Sequence, residues 1–204
     1  MALFITFEGQ EGAGKSTQIK MLYDYLLSRG ADVILARDPG STDIAEKIRR
    51  VLKDVNNTDI TKETEALLYI AARAQLVDEI IRPQLEKGGI VLCDRFQDST
   101  IAYQGFGNGL DINKLAEISM FATAGLVPDI TFLLKIDPET GLARKAAYKE
   151  LDRIEAKSTA YHKAVMQGYE HVATQNASRV VVINGCMQPE EINSIIVQYV
   201  EKLI

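Results

Sequence analysis

The sequence predicts an α/β fold: a five-stranded parallel sheet flanked by helices on both faces, with a small helical lid. Three observations carry this reading. Five short runs are apolar from end to end, helical patterns separate them, and a glycine-rich turn joins the first run to the first helical pattern. Strands covered on both faces read as continuous apolar runs. Strands alternating with helices imply parallel pairing through right-handed crossovers.

The strands expected are ALFITF (2–7), ADVILA (31–36), GIVLCD (89–94), DITFLLKI (129–136) and RVVVIN (179–184). After the first comes a helix whose apolar stripe is Ile19, Leu22, Tyr23, Leu26 and Leu27, at i, i+3, i+4, i+7, i+8. Residues 62–87 give a longer helical pattern, apolar on most sides around 66–72, and so a largely buried helix. Residues 111–124 and 158–177 give two more, and GFGNG (105–109) reads as a loop. Ile192, Ile195, Ile196, Tyr199 and Val200 mark the last helix, with Pro189 suited to its first turn. The chain reads as one domain, 1–204; its most charged and least apolar stretch, 138–157, is the expected surface insert and lid.

Composition excludes several classes of function. The chain has 204 residues, 47% hydrophobic and 25% charged, as in a globular protein able to bury a core without disulfides. It has no apolar run long enough to span a membrane and no signal-peptide pattern, and its two cysteines, Cys93 and Cys186, read as idle thiols. These features point to the cytoplasm. A net charge of −5 argues against nucleic acid as a partner, so an anionic ligand must be met by locally concentrated cations. His162 and His171 fall in a helical pattern without acidic partners and read as surface residues.

Gly9, Gln10, Glu11, Gly12, Ala13, Gly14, Lys15 and Ser16 match G-x-x-x-x-G-K-[ST] at every fixed position, with Thr17 following. Glycines let the backbone curl its N–H groups around phosphate oxygens, and the following helix N-terminus adds partial positive charge. Lys15 is suited to the outer phosphates and the Ser16 hydroxyl to Mg²⁺. This is the phosphate-binding corner of a P-loop NTPase fold, and a nucleoside triphosphate with Mg²⁺ is the expected occupant. GGIVLCDRF then ends a strand on Asp94, placed to anchor the metal's water shell, and Arg95 would lie beside the transferring phosphoryl group. A guanine-reading switch would need N-K-x-D, but the only NK, Asn113-Lys114, lacks the aspartate, and Asp94 does not open a D-x-x-G. A kinase is favoured, with a non-catalytic nucleotide switch as an alternative.

FEGQEGAGKSTQ, RDPGST, AARAQL, DRFQDSTIAYQG, PDITFLLKID and LDRIE recur in the order and spacing of bacterial thymidylate kinases, and the chain resembles that family over nearly its whole length. The resemblance implies phosphoryl transfer from MgATP to dTMP, giving dTDP and ADP for dTTP biosynthesis, by a homodimer. A kinase for another nucleoside monophosphate is the alternative. It implies that Tyr69, where the family usually has Phe, stacks on thymine while Arg73 donates to a base carbonyl. These two lie at i, i+4 and share a helix face. Thr100, Tyr103 and Gln104, at i, i+3, i+4 of the next short helix, are implied at the base and at the sugar's 2′ position. Glu11 is implied to accept from the acceptor's 3′-OH, and the Arg37-Asp38-Pro39 loop to border the acceptor pocket. Asp38 and Ser41 stand where the family usually has Glu and Gly. Eukaryotic relatives carry an arginine inside the P-loop where this chain has Gly12, and bacterial relatives carry several lid arginines. Here the lid offers Arg144 and, in LDRIE, Arg153, with Lys145 and Lys149 as further cations. Because the acceptor is a phosphate with a second pKa of about 6, no general base is expected.

Overall fold

The computed structural model describes residues 2–147, 150 and 152–204. Five parallel strands form one sheet in the order β2-β3-β1-β4-β5, with β1 Leu3–Glu8, β2 Val33–Arg37, β3 Ile90–Asp94, β4 Ile130–Lys135 and β5 Val180–Asn184. Each expected strand is present with its ends trimmed or shifted by a residue or two. Full coverage holds for the inner strands only. All of β1 is buried, whereas the edge strands, packed on both faces only in part, expose Leu35 and Val182.

Alternate residues of the sheet serve two cores. Leu3, Ile5, Phe7, Leu92 and Phe132 pack with Ile19, Leu22 and Leu26 of α1 (Lys15–Ser28) and Ile192, Ile196 and Val200 of α9 (Pro189–Val200). On the other face Phe4, Val91 and Cys93 meet Leu76, Val77, Ile81 and Phe96, while Leu133 joins Tyr103, Tyr161, Val165 and Tyr169. Leu27 and Tyr199, expected in the helix stripes, are exposed at their margins.

Helix α2 (Asp43–Lys53) has no counterpart in the sequence reading. Its start is capped by the Thr42 hydroxyl, which accepts from the Ala45 N–H, with acids in the first turn and bases in the last. The long helix expected at 62–87 is three pieces in succession: α3 (Lys62–Leu76), a π turn (Val77–Ile81) and α4 (Arg82–Glu86). Pro83 accounts for the break, since it offers no N–H to the i−4 carbonyl and its ring crowds that position. A second π turn, Ile101–Gly107, follows the short α5 (Gln97–Thr100), so Gly105–Gly107 are not the loop expected there. Helices α6 (Ile112–Ala122), α7 (Pro138–Ala146) and α8 (Thr159–Gln175) complete the order. Gly168 of α8 admits the second π turn closely, for a Cβ there would stand 2.7 Å from the Ala102 Cα.

The stretch 138–157 is not a uniformly exposed insert: Pro138, Gly141, Ile154 and Glu155 are buried. Cys93 is buried, Cys186 is exposed, and both are free thiols. Among the described residues, no helix is long and apolar enough to cross a membrane.

Candidate active site

The carboxyl ends of β1, β2 and β3 lie level, with Phe7 and Arg37 both in register with Asp94. The segments leaving these strands therefore open into one cavity of about 760 Å³. Its lining runs without interruption from Glu11–Thr17 through Asp94, Arg95 and Ser99 to Asp38, Pro39, Tyr69, Arg73, Thr100, Tyr103 and Gln104, with Arg144 and Lys145 at the mouth. Such a position, outside the carboxyl ends of parallel strands, is the usual ligand site of α/β sheets.

The loop at 9–14 is curled as its glycines permit. Gly12 and Gly14 hold left-handed backbones with φ of 71° and 92°, and Gly14 is the residue at which α1 begins. Lys15 is buried and folds back to donate to the carbonyls of Gly9 (2.9 Å) and Gln10 (3.0 Å). Burial, with Arg95 nearby, pulls its ammonium pKa down. Ser16 and Thr17 are exposed at the helix start. Gly9 and Gln10 do not line the cavity. A Cβ on Gly9 would meet the Leu134 carbonyl, and the Gln10 amide donates to the buried backbone carbonyl of His162.

Arg95 has the left-handed φ of 70°, unusual for a residue with a side chain. Its Nη2 donates to Glu11 Oε1 (2.7 Å), its Nη1 to the Tyr169 hydroxyl (2.7 Å) and to Ser99 Oγ (3.3 Å), and its guanidinium lies 5.0 Å from the Tyr103 ring centroid. Glu11 also meets Lys145 Nζ at 3.0 Å. Against the effect of burial, which raises it, Arg95, Lys15 and Lys145 hold the Glu11 carboxyl well below its ordinary range. Glu11 is thus an anion clasped by the cations that would meet phosphate. Asp94 sits beside them with Oδ1 buried and without a partner.

Deeper in, Arg73 is 1% exposed. Its Nε donates to Asp38 Oδ2 (2.6 Å) and its Nη2 to Thr100 Oγ1 (2.8 Å), while Nη1 is buried without a partner. Asp38 therefore positions Arg73; burial pushes its carboxyl pKa up and Arg73 opposes the shift. Tyr69 and Arg73 share a cavity face as their spacing predicts. Thr100, Tyr103 and Gln104 also converge on the cavity, although the helix carrying them widens to a π turn at Ile101. Burial, foremost, raises the hydroxyl pKa of Tyr69 and of Tyr103. Ser41 explains why glycine suits its place: it too has a φ of 70°, stabilised here as its Oγ accepts from the Arg37 N–H.

The lid residues part company. Arg144 is exposed at the P-loop mouth, 3.5 Å from the Gly12 carbonyl and 3.4 Å from that of Gly185. Arg153, expected to act beside it, does not line the cavity: its Nε donates to the Leu52 carbonyl (2.9 Å) and its Nη2 to Glu65 (2.8 Å). Lys145, expected as a further lid cation, bridges Glu11 and Glu155. Lys149 lies outside the described residues.

Among the described residues, four buried carboxylates escaped the sequence reading: Glu8, Glu65, Asp98 and Glu155. Glu8 accepts from the Phe96 N–H (2.8 Å), Ser99 Oγ (2.6 Å) and the Tyr169 hydroxyl (2.8 Å), so it braces two of the groups that hold Arg95. Burial, then the charge of Asp98, pushes its carboxyl up to about 7. The signal available for it was an acid closing a wholly apolar strand. For Glu65 it was the spacing Glu65, Tyr69, Arg73 at i, i+4, i+8. His162 is buried, contrary to the surface position expected, with Nε2 3.1 Å from the Glu155 carbonyl; His171 is partly covered against Phe106. Asn108, read as loop without chemistry, donates to Glu65 at 2.7 Å.

A glycine-curled loop between strand and helix, an acid closing the neighbouring strand and a second pocket facing the loop across an arginine define a P-loop phosphotransferase. The family model for thymidylate kinase matches residues 7–196. The thymidylate kinase of Roseiflexus castenholzii is 46% identical over 98% of this chain and 93% of its own length, and that of Chlorobaculum tepidum 43% identical over 98% of both. The crystal structure of thymidylate kinase from Ehrlichia chaffeensis superposes with a TM-score of 0.81 at 31% identity, covering 98% of each chain. This chain belongs to the thymidylate kinase family.

Proposed function

We propose that this protein transfers the γ-phosphoryl group of ATP to dTMP, giving ADP and dTDP, in the cytoplasm. The observation that carries the reading is the continuity of the cavity from the P-loop to the Tyr69–Arg73–Gln104 pocket with Arg95 between them. Two highly anionic nucleotides must meet end to end. Catalysis then rests on alignment and on offsetting their repulsion.

In this reading Lys15 leaves the Gly9 and Gln10 carbonyls for the outer phosphates of ATP, cradled by the N–H groups of residues 12–17. Arg95 holds the acceptor phosphate, helped by Arg73, and Glu11 accepts from the 3′-OH. Tyr69 stacks on the base, the unpartnered Nη1 of Arg73 donates to a base carbonyl, Thr100 braces Arg73, and Tyr103 crowds the 2′ position. Asp38 and Pro39 form the pocket's edge. The buried, unpartnered Oδ1 of Asp94 and the exposed Ser16 hydroxyl form a hard-oxygen set that fits Mg²⁺. When bound, the ion neutralises charge on the β- and γ-phosphates. Arg144 at the mouth shields the transferring group from water; Arg153 acts from outside the cavity, by tying the lid region to Glu65.

A coupled ADP-release assay across dTMP, dUMP, dCMP, dGMP and thymidine tests the function. dTMP should give the highest kcat/KM. dUMP should fall by the 10- to 200-fold, roughly, that one methyl group supports. A preference for another monophosphate, or tight GTP binding without transfer, would overturn the reading. The working form is read as a homodimer; exposed Leu67, Ile118, Met120 and the 88%-exposed Phe121 support it. A monomer mass in sedimentation equilibrium would refute it.

A further inference from the structure

We propose that Glu65, which does not line the nucleotide cavity, determines which base the acceptor pocket takes by fixing the side-chain amide of Gln104. The inference rests on the dTMP reading and deepens it.

Glu65 is 1% exposed and fully satisfied by four donors. Its Oε1 accepts from Gln104 Nε2 (3.1 Å) and Asn108 Nδ2 (2.7 Å). Its Oε2 accepts from Arg153 Nη2 (2.8 Å) and Lys157 Nζ (3.4 Å). Burial alone would raise the Glu65 pKa; Lys157 and the bonds from Gln104, Asn108 and Arg153 outweigh burial and hold it below the usual range. An ionised carboxylate accepts and cannot donate. Gln104 must therefore turn its NH₂ toward Glu65, and its carbonyl oxygen remains as its group for the cavity that it lines. Asn108 is fixed in the same way, since its Oδ1 accepts from Lys157 (2.9 Å).

With Nη1 of Arg73 unpartnered, Arg73 offers the pocket a donor and the Gln104 oxygen an acceptor. A pyrimidine with a carbonyl beside an imino N–H, as in thymine, matches both. The amino group and unprotonated N3 of cytosine reverse the pattern and set donor against donor and acceptor against acceptor. Discrimination thus originates one residue behind the contact. Because Arg153 and Lys157 share the same carboxylate, it is tied to the seating of the lid region.

The test is Glu65→Gln, assayed with dTMP and with 5-methyl-dCMP, which keep the methyl group and differ only at the discriminating edge. Arg153 and Lys157 need an acceptor, so a glutamine here turns its carbonyl to them and its NH₂ to Gln104, which favours the flipped Gln104 amide. The ratio of kcat/KM for dTMP to that for 5-methyl-dCMP should fall by roughly 10- to 100-fold, the scale of one charge-assisted hydrogen bond. Equal loss on both substrates, or no loss, overturns the inference. If the variant does not fold, the wild-type protein supplies the readout by NMR. The Gln104 amide protons, assigned by their absence in Gln104→Met, should exchange slowly without nucleotide; free exchange overturns the inference. Failure of wild-type protein to phosphorylate dTMP would refute the functional reading and leave the amide orientation to be read by NMR alone.

Discussion

Arg95 holds a left-handed backbone and a guanidinium with three hydrogen-bonded partners, and the first is tolerable because of the second. Such a backbone costs of order 1–3 kcal/mol in a residue with a Cβ and persists where surrounding contacts over-determine it. The contacts aim the fork into the cavity beside the P-loop. Arg95→Ala should lower kcat by about 10²-fold or more, the scale of one transition-state donor, in steady-state assays with dTMP; near-wild-type turnover would remove Arg95 from the mechanism. Glu8 stands behind it. Its carboxyl, ordinarily near 4.5, is raised to about 7, so the folded protein binds this proton more tightly than the unfolded chain does. Its contribution to stability is present below pH 4.5 and is lost as pH rises through 7, at up to about 1 kcal/mol per pH unit. Glu8→Gln should flatten that decline in thermal melts between pH 5 and 7.5; an unchanged slope would mean that Glu8 is ionised across the range.

At the scale of elements, α7 and the P-loop meet through two glycines. A Cβ on Gly12 would stand 2.2 Å from the Gly141 carbonyl, and one on Gly141 would stand 2.3 Å from that of Glu11. This contact seats Arg144 and Lys145 over the phosphate loop, and it fits the absence of a P-loop arginine from this chain. Gly141 is helical, so alanine there meets crowding without backbone strain. Gly141→Ala should displace α7 and raise KM for ATP while lowering kcat, together costing about tenfold or more in kcat/KM. Its melting temperature should fall by only a few degrees, because the helix preference of alanine, about 1 kcal/mol, offsets part of the cost of moving α7 off the Glu11 carbonyl; unaltered kinetics would show that the close contact is dispensable. The same elements mark how far the sequence could be read. Strand runs and the P-loop are local patterns and were legible to within a residue or two. Helix α2 was missed although Thr42, Asp43 and Glu46 mark its start and Arg50 and Lys53 its end. The π turns were beyond reach because they depend on what Pro83 and the packing of α8 do to a helical pattern.

Across the whole molecule, many of the residues that line the cavity were recognisable, and the contacts that fix them in place were not. Lys15, Asp94 and Arg95 belong to short motifs, whereas Glu8 reaches Tyr169, Glu65 reaches Gln104 and Arg153, and Asp38 reaches Arg73 across 161, 39, 88 and 35 positions of chain. Only the packed fold makes those pairs, and Arg153 shows the consequence: its motif was plain, but its place outside the cavity was not. The cavity that results runs from the P-loop to Tyr69, Arg73 and Gln104 and includes Arg95 in its lining. The most direct measurement is the affinity of a bisubstrate analogue in which adenosine and thymidine are joined 5′ to 5′ through a pentaphosphate. Calorimetry should find it binding at least 10²-fold more tightly than ATP or dTMP alone, since one cavity engages both ends at high effective concentration. An affinity no better than that of either nucleotide alone would contradict a single cavity holding the two substrates end to end.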